Sequence, residues 1–178
     1  MAGFQFTVES PDVAEDMLDG ESAAAMVVRL AKEKATAVGA GRLAQTPEPV
    51  VLAADTAVVL GDRILGKPGD AVEAVEMLLM LAGRIHIVIT GFALLSGTEE
   101  LAAGTVTTRV TMHPVTHREA EAYAASGEPL DKAGAYAAQG DGARFVANID
   151  GSKSNVIGLP LGTVVPLLEA AGVHRVRT

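Results

Sequence analysis

Within "LAADTAVVLGDRILGKP" (52–68), Asp55 interrupts a run of apolar residues that reads as buried strand, and Lys67 follows a dozen residues later. A carboxylate among apolar neighbours is costly unless it is paired, metal-bound or wetted by a cleft. Asp55 with Thr56 after a buried strand, Lys67 after a turn, "EPLDKAGAYAAQG" (128–140) and "SNVIGLPL" (154–161) form a dispersed constellation. The third string is dense in glycine and polar groups where a simple connection needs only a few residues, and long structured loops often carry function. An aspartate can orient a water molecule or hold a hard cation, and a lysine can offset anionic charge. The structural alternatives are ordinary: an aspartate capping backbone amides at a strand end, and a solvated lysine beside a hairpin.

Other motif-like strings carry less. "GDRILGK" (61–67) has the glycine and lysine spacing of a phosphate loop, but Pro68 stands where a magnesium-binding Ser or Thr belongs, and a hairpin accounts for the glycines. His113 and His117 have a metal-ligand spacing, yet Pro114 and Thr116 put a helix start between them. No G-x-S-x-G elbow occurs, and "SGE" (126–128) reads as a helix end.

The elements that must position these residues alternate along 178 residues, a length that predicts one domain burying about 70% of its unfolded surface. "FQFTV" (4–8) has the alternation of a half-buried strand. "ESAAAMVVRLAKEKATAVG" predicts a helix capped by Ser22 and closed by Gly39, with Val27, Leu30, Ala31 and Val38 on one face. "VVLA" and "AVVL" flank Asp55 as strand, and Gly61-Asp62 suits a two-residue turn. Asp70 with Glu73, and Thr116 with Glu119, have capping-box spacing, and Gly83 ends the first of these helices. "IHIVITGFALL" and "GTVTTRVTM" predict long strands joined around Ser96-Gly97; "ARFVANI", the turn "DG" and "SNVIGL" predict a further hairpin. A last helix follows Thr163 with Pro166 in its first turn. Hairpins and crossover helices together predict an α/β fold with a mixed sheet.

Composition narrows the partners. Hydrophobic residues make up 49% but aromatics 3%, so the core is aliphatic and lacks stacking platforms for single-stranded nucleic acid. A net charge of −8 opposes a nucleic acid polymer bound over a broad surface, while leaving room for a small anion in a local basic pocket. The absence of cysteine excludes thiolate metal sites and disulfides and suits a reducing, cytoplasmic setting. Apolar runs such as "MLLMLA" are too short for a membrane span.

The strings "AADT", "ILGKP", "MLLMLAGRIHIVITGFALL", "ASGEPLDKAGAYAAQG" and "VIGLPL" resemble, in order and separation, the Maf family of nucleoside triphosphate pyrophosphatases, in its dTTP/UTP branch. The resemblance runs from about Gly3 to the C-terminus, and the D-K-A-G-A-Y string with its downstream Gln is its most specific part. It implies an elongated α/β fold with a cleft between two lobes, a homodimer, a divalent cation such as Mg2+, Mn2+ or Co2+, and hydrolysis of dTTP, UTP or modified pyrimidine nucleotides to monophosphate and pyrophosphate. Asp55 then matches the catalytic proton acceptor and a metal contact, Thr56 and Gln139 match positions tied to base choice, and Lys67 matches a phosphate contact. Asp131 and Lys132 match the polar pair of the D-K-A-G string.

Two departures accompany the resemblance. Family members usually open with a strand and an S-x-S-P-R-R segment that binds triphosphate, whereas "AGFQFTV" resembles the stretch just beyond it, so the expectation is a single family domain shortened at Met1. Ser10-Pro11 is no substitute, since no arginine follows it. Ala14 stands where an acidic residue is common, which leaves Glu15 or Asp16 as metal contacts, Glu15 being the chosen candidate. The alternatives to an active pyrophosphatase are a non-catalytic nucleotide-binding regulator of septum formation and an inactive fragment.

Overall fold

The computed structural model describes residues 3–42 and 48–176; the junction expected at Met1 lies outside them. Its elements are strands β1 (Val50–Leu60), β2 (Arg63–Leu65), β3 (Ile85–Ser96), β4 (Glu99–Met112) and β5 (Val146–Asp150), with helices α1 (Ala23–Ala40), α2 (Ala71–Leu81), α3 (His117–Ala124), α4 (Lys153–Val156) and α5 (Leu161–Ala170). Three short 3-10 turns lie within 128–145. The strands form one open sheet in the order β2-β1-β3-β4-β5. The class is α/β as expected, but the sheet is antiparallel rather than mixed. The reason is the hairpin: β2 reverses the chain before α2 crosses over, so β3 returns antiparallel to β1. Among the described residues no helix is long and apolar enough to cross a membrane.

Two compact units divide the chain, with divisions inside β1, β3 and β4 and a fourth between α4 and α5. The first contains Met1–Asp55, Thr90–Val106 and Gly158–Thr178. Its core joins Ala31 and Ala35 of α1 to Ala93 and Leu95 of β3, with Val51, Ala53 and Ala103 against them. Such small side chains let backbones approach: a Cβ on Gly91 of β3 would lie 2.3 Å from the Val27 carbonyl oxygen, and one on Gly39 2.2 Å from the Gly97 carbonyl oxygen. Gly39 is therefore a contact residue inside α1, which ends at Gly41 instead. Ser22 caps α1 by accepting from the Ala25 N–H at 3.2 Å.

The second unit contains Thr56–Ile89 and Thr107–Ile157. Val58, Leu65, Leu78, Leu81, Val88 and Val110 form its aliphatic centre, with Tyr123, Tyr136 and Phe145 packed among them. The β1–β2 register pairs Leu60 with Arg63, leaving Gly61-Asp62 as the predicted turn, with Gly61 at φ +59°. Asp70 caps α2, and its Glu73 partner reaches the Gly69 amide at 2.7 Å. Thr116 and Glu119 close a full capping box on α3.

Three other expectations fail for identifiable reasons. "FQFTV" forms no strand: Phe6 and Val8 are 72% and 79% exposed, because alternation marks a compatible segment but supplies no neighbour to pair with. "SNVIGL" does not return along β5. Ser152 caps α4 through the Asn155 N–H at 3.2 Å, and the Asn155 side chain, fully buried, donates to the Val88 carbonyl at 3.1 Å and to Thr108 Oγ1 at 3.0 Å. The last helix begins at Leu161, so Pro166 lies in its interior, where the lost N–H hydrogen bond falls opposite Gly162, a residue with open space around its Cα.

Candidate functional site

In the first unit, the middle of β1 brings Asp55 to α1. Its Oδ1 lies 2.6 Å from Lys34 Nζ, and the same ammonium meets Glu15 Oε1 at 2.5 Å. The side chains are 14% (Asp55) and 18% (Lys34) exposed, against 42% for Glu15. Burial, the strongest influence on Lys34, works to lower its pKa, but the two carboxylates overcome it and the ammonium is held above its ordinary value. Asp55 is thus a paired carboxylate reaching a wetted surface, which resolves its cost inside an apolar strand.

Glu15 sits on a segment without regular structure, and Arg29 of α1 fastens that segment. The guanidinium forks onto Glu21 with two 2.8 Å bonds and donates to the Asp16 carbonyl at 2.9 Å. Lys34 was not among the sequence-derived candidates. Its signal is positional: it lies four residues after Leu30 and four before Val38, so a cation stands on the apolar stripe of α1 where a hydrophobic residue is expected.

The two carboxylate oxygens converge on the Lys34 ammonium, so this pair would hold a hard divalent ion only if the lysine gave way. Among the described residues no group of three or more His, Asp or Glu gathers for metal binding.

In the second unit, the strings carrying Lys67 and Asp131-Lys132 are tied together. The Gly134 N–H donates to the Gly66 carbonyl at 3.0 Å, beside Lys67. Gly134 stands at φ +71°, and a Cβ there would come within 2.9 Å of Val58, so this turn requires glycine. Lys132 bonds Asp131 at 2.6 Å; that hydrogen bond first, and the nearby Lys67 charge among lesser causes, hold the Asp131 carboxyl below its ordinary value. Lys67 and Gln139 are exposed, and Thr56 is half-buried on β1. The sequence-derived residues therefore form two groups: Asp55 with Glu15 in the first unit, and Lys67 with Asp131 and Lys132 in the second, on the loop that continues to Gln139.

That loop is anchored below by Tyr136, whose hydroxyl lies 2.7 Å from His86 Nε2 in the core. His86 is 1% exposed and its Nδ1 has no partner among the described residues; burial depresses its pKa from 6.5 to about 4. Between those values the unfolded chain binds a proton that the folded chain refuses. This contribution to stability is complete above pH 6.5 and falls away toward pH 4, by about 2 kcal/mol at pH 5. Urea denaturation at pH 7.5 and pH 5 is expected to show this loss in the native chain. A His86→Phe variant, though less stable at neutral pH because Tyr136 loses its partner, should show a loss smaller by that amount.

The family model described as Maf-like protein matches residues 1–171, and the chain belongs to that family. A protein of Myxococcus xanthus (strain DK1622) named dTTP/UTP pyrophosphatase is 53% identical over 169 residues, spanning 95% of this chain and 83% of its own length. Proteins of the same name from Anaeromyxobacter dehalogenans (strain 2CP-C) and Symbiobacterium thermophilum (strain DSM 24528 / JCM 14929 / IAM 14863 / T) are 45% and 44% identical over 173 and 170 residues. Each of these two alignments covers 96% of this chain and 85% of the relative.

Proposed function

We propose that this chain is a nucleoside triphosphate pyrophosphatase acting on dTTP, UTP or modified pyrimidine nucleotides. The observation that carries the reading is the convergence of the Asp55 and Glu15 carboxylates on Lys34, in a chain whose relatives are named dTTP/UTP pyrophosphatase.

In this reading Asp55 accepts a proton from water as the water oxygen bonds to the α-phosphorus. The α–β phosphoanhydride bond breaks, and pyrophosphate leaves with the electron pair. Lys34 holds Asp55 in place through their 2.6 Å bond, and a general base must be positioned to act. Lys67 offsets charge on the phosphate oxygens, with the Asp131-Lys132 pair beside it. Thr56 and Gln139 face the base. A divalent cation, when held by Asp55 and Glu15, supplies further neutralisation of the triphosphate. The reading takes the protein as a cytoplasmic homodimer without nucleic acid or membrane partners, and the net charge of −8 supports the exclusion of polyanions.

Incubation with UTP or dTTP and Mg2+ tests this, with phosphorus NMR following the products. Monophosphate and pyrophosphate in equal amounts are expected, with release falling at least 100-fold in excess EDTA and returning when Mg2+ is restored. Diphosphate and inorganic phosphate as products, or no turnover of any pyrimidine nucleotide, end the proposal.

A further inference from the structure

Resting on that reading, we infer that Glu128 is a positioning residue that sets base selectivity by fixing the backbone on both sides of Gln139. Gln139 is exposed and extended, at φ −142° and ψ 172°, between buried Ala137-Ala138 and Gly140 at φ +67°. One carboxylate reaches both flanks. On the far side Glu128 Oε1 accepts from the Asp141 N–H at 3.3 Å, and Oε2 accepts from the Gly142 N–H at 2.9 Å. On the near side the hydroxyl of Tyr123, a residue 2% exposed, accepts from the Ala137 N–H at 3.1 Å, and the neighbouring Glu128 carboxylate adds to the burial that raises the phenol's pKa.

The loop is shaped around this carboxylate. A Cβ on Gly140 would lie 2.1 Å from Glu128 Oε1, and one on Gly142 would lie 2.4 Å from the Tyr123 hydroxyl. Glu128 is held in turn: its N–H donates to Ser126 Oγ at 3.2 Å, and that hydroxyl donates to the Tyr123 carbonyl at 2.7 Å. With one backbone amide on each of its oxygens and the Tyr123 phenol nearby, Glu128 is a poor candidate for proton transfer or metal binding, which leaves positioning as its role.

Positioning matters for Gln139 because of its chemistry. A carboxamide can donate to the 4-keto group of uracil or thymine, or, turned over, accept from the 4-amino group of cytosine. Discrimination therefore depends on holding the amide within about 0.5 Å of one geometry, which an unrestrained glycine-flanked loop does not do.

The test compares the full chain with Glu128→Ala and Glu128→Gln, measuring pyrophosphate release from UTP, dTTP and CTP alongside the thermal midpoint. The native chain should favour UTP and dTTP. Glu128→Ala should narrow the UTP-to-CTP ratio of kcat/KM at least tenfold, mainly through a higher KM for UTP, and Glu128→Gln, which keeps one acceptor oxygen, should fall between. An unchanged ratio overturns the inference, whether both nucleotides slow equally with a lowered midpoint or neither changes. If the native chain releases no pyrophosphate, the parent reading fails by itself, and calorimetric titration with the same nucleotides decides this one. A Kd ratio narrowed tenfold by Glu128→Ala upholds it; an equal ratio, or no nucleotide binding, overturns it.

Discussion

Replacing Asp55 by Asn should reduce pyrophosphate release from UTP about 1000-fold while leaving KM within a few-fold of the native value. The amide keeps the shape of the carboxylate but cannot take a proton from water, and general-base assistance is worth 10²–10⁴ in rate. Stability should change little. Lys34 retains Glu15 at 2.5 Å, and the Asn oxygen can still accept from the ammonium, so the expected cost is about 1 kcal/mol. Rate and urea midpoint measured on the same preparation separate the outcomes: activity within tenfold of native would assign Asp55 to pairing alone.

Gly91→Ala should be the most damaging single methyl in the first unit. The added carbon would meet the Val27 carbonyl oxygen at 2.3 Å, its carbon at 2.4 Å and the Val28 nitrogen at 2.6 Å, all backbone atoms of α1. A side chain can rotate away from such a contact, but a helix backbone can only lift off the strand. Overpacking of this kind costs about 3 kcal/mol or more. Lys34 lies two turns farther along the same helix, so activity should fall with stability. Gly162→Ala is the contrast, since nothing lies within 4 Å of its missing Cβ on α5; it should raise stability by about 0.5 kcal/mol. Urea midpoints for the two variants that moved together would refute the packing argument.

What could be read from the sequence was what short-range chemistry decides. Ser22, Asp70 and Thr116 cap the helices they were expected to cap, and Gly61-Asp62 turns the hairpin, because each depends on residues within three or four positions. The misreadings concern partners distant in sequence. "FQFTV" has strand alternation without a strand beside it, and "SNVIGL" is drawn into a helical turn because Asn155 finds hydrogen-bond partners 67 and 47 residues away. Lys34 was missed for a related reason: its significance appears only when β1 delivers Asp55 to the same helix face, 21 positions on. Asp55, Glu15, Lys67 and the D-K-A-G string are candidates by residue type and resemblance. Glu128 has no such signature, since an acid after a helix-ending glycine is an ordinary surface feature until the loop folds over it.

The single amide-to-carbonyl link between Gly134 and Gly66 couples two stretches that lie almost seventy positions apart in the chain. An insertion next to Lys67 would drag the D-K-A-G turn out of place, and lengthening the turn would pull the lysine with it. A change of length in one stretch therefore calls for a compensating change in the other, whereas side-chain replacements that leave the two backbones in place do not.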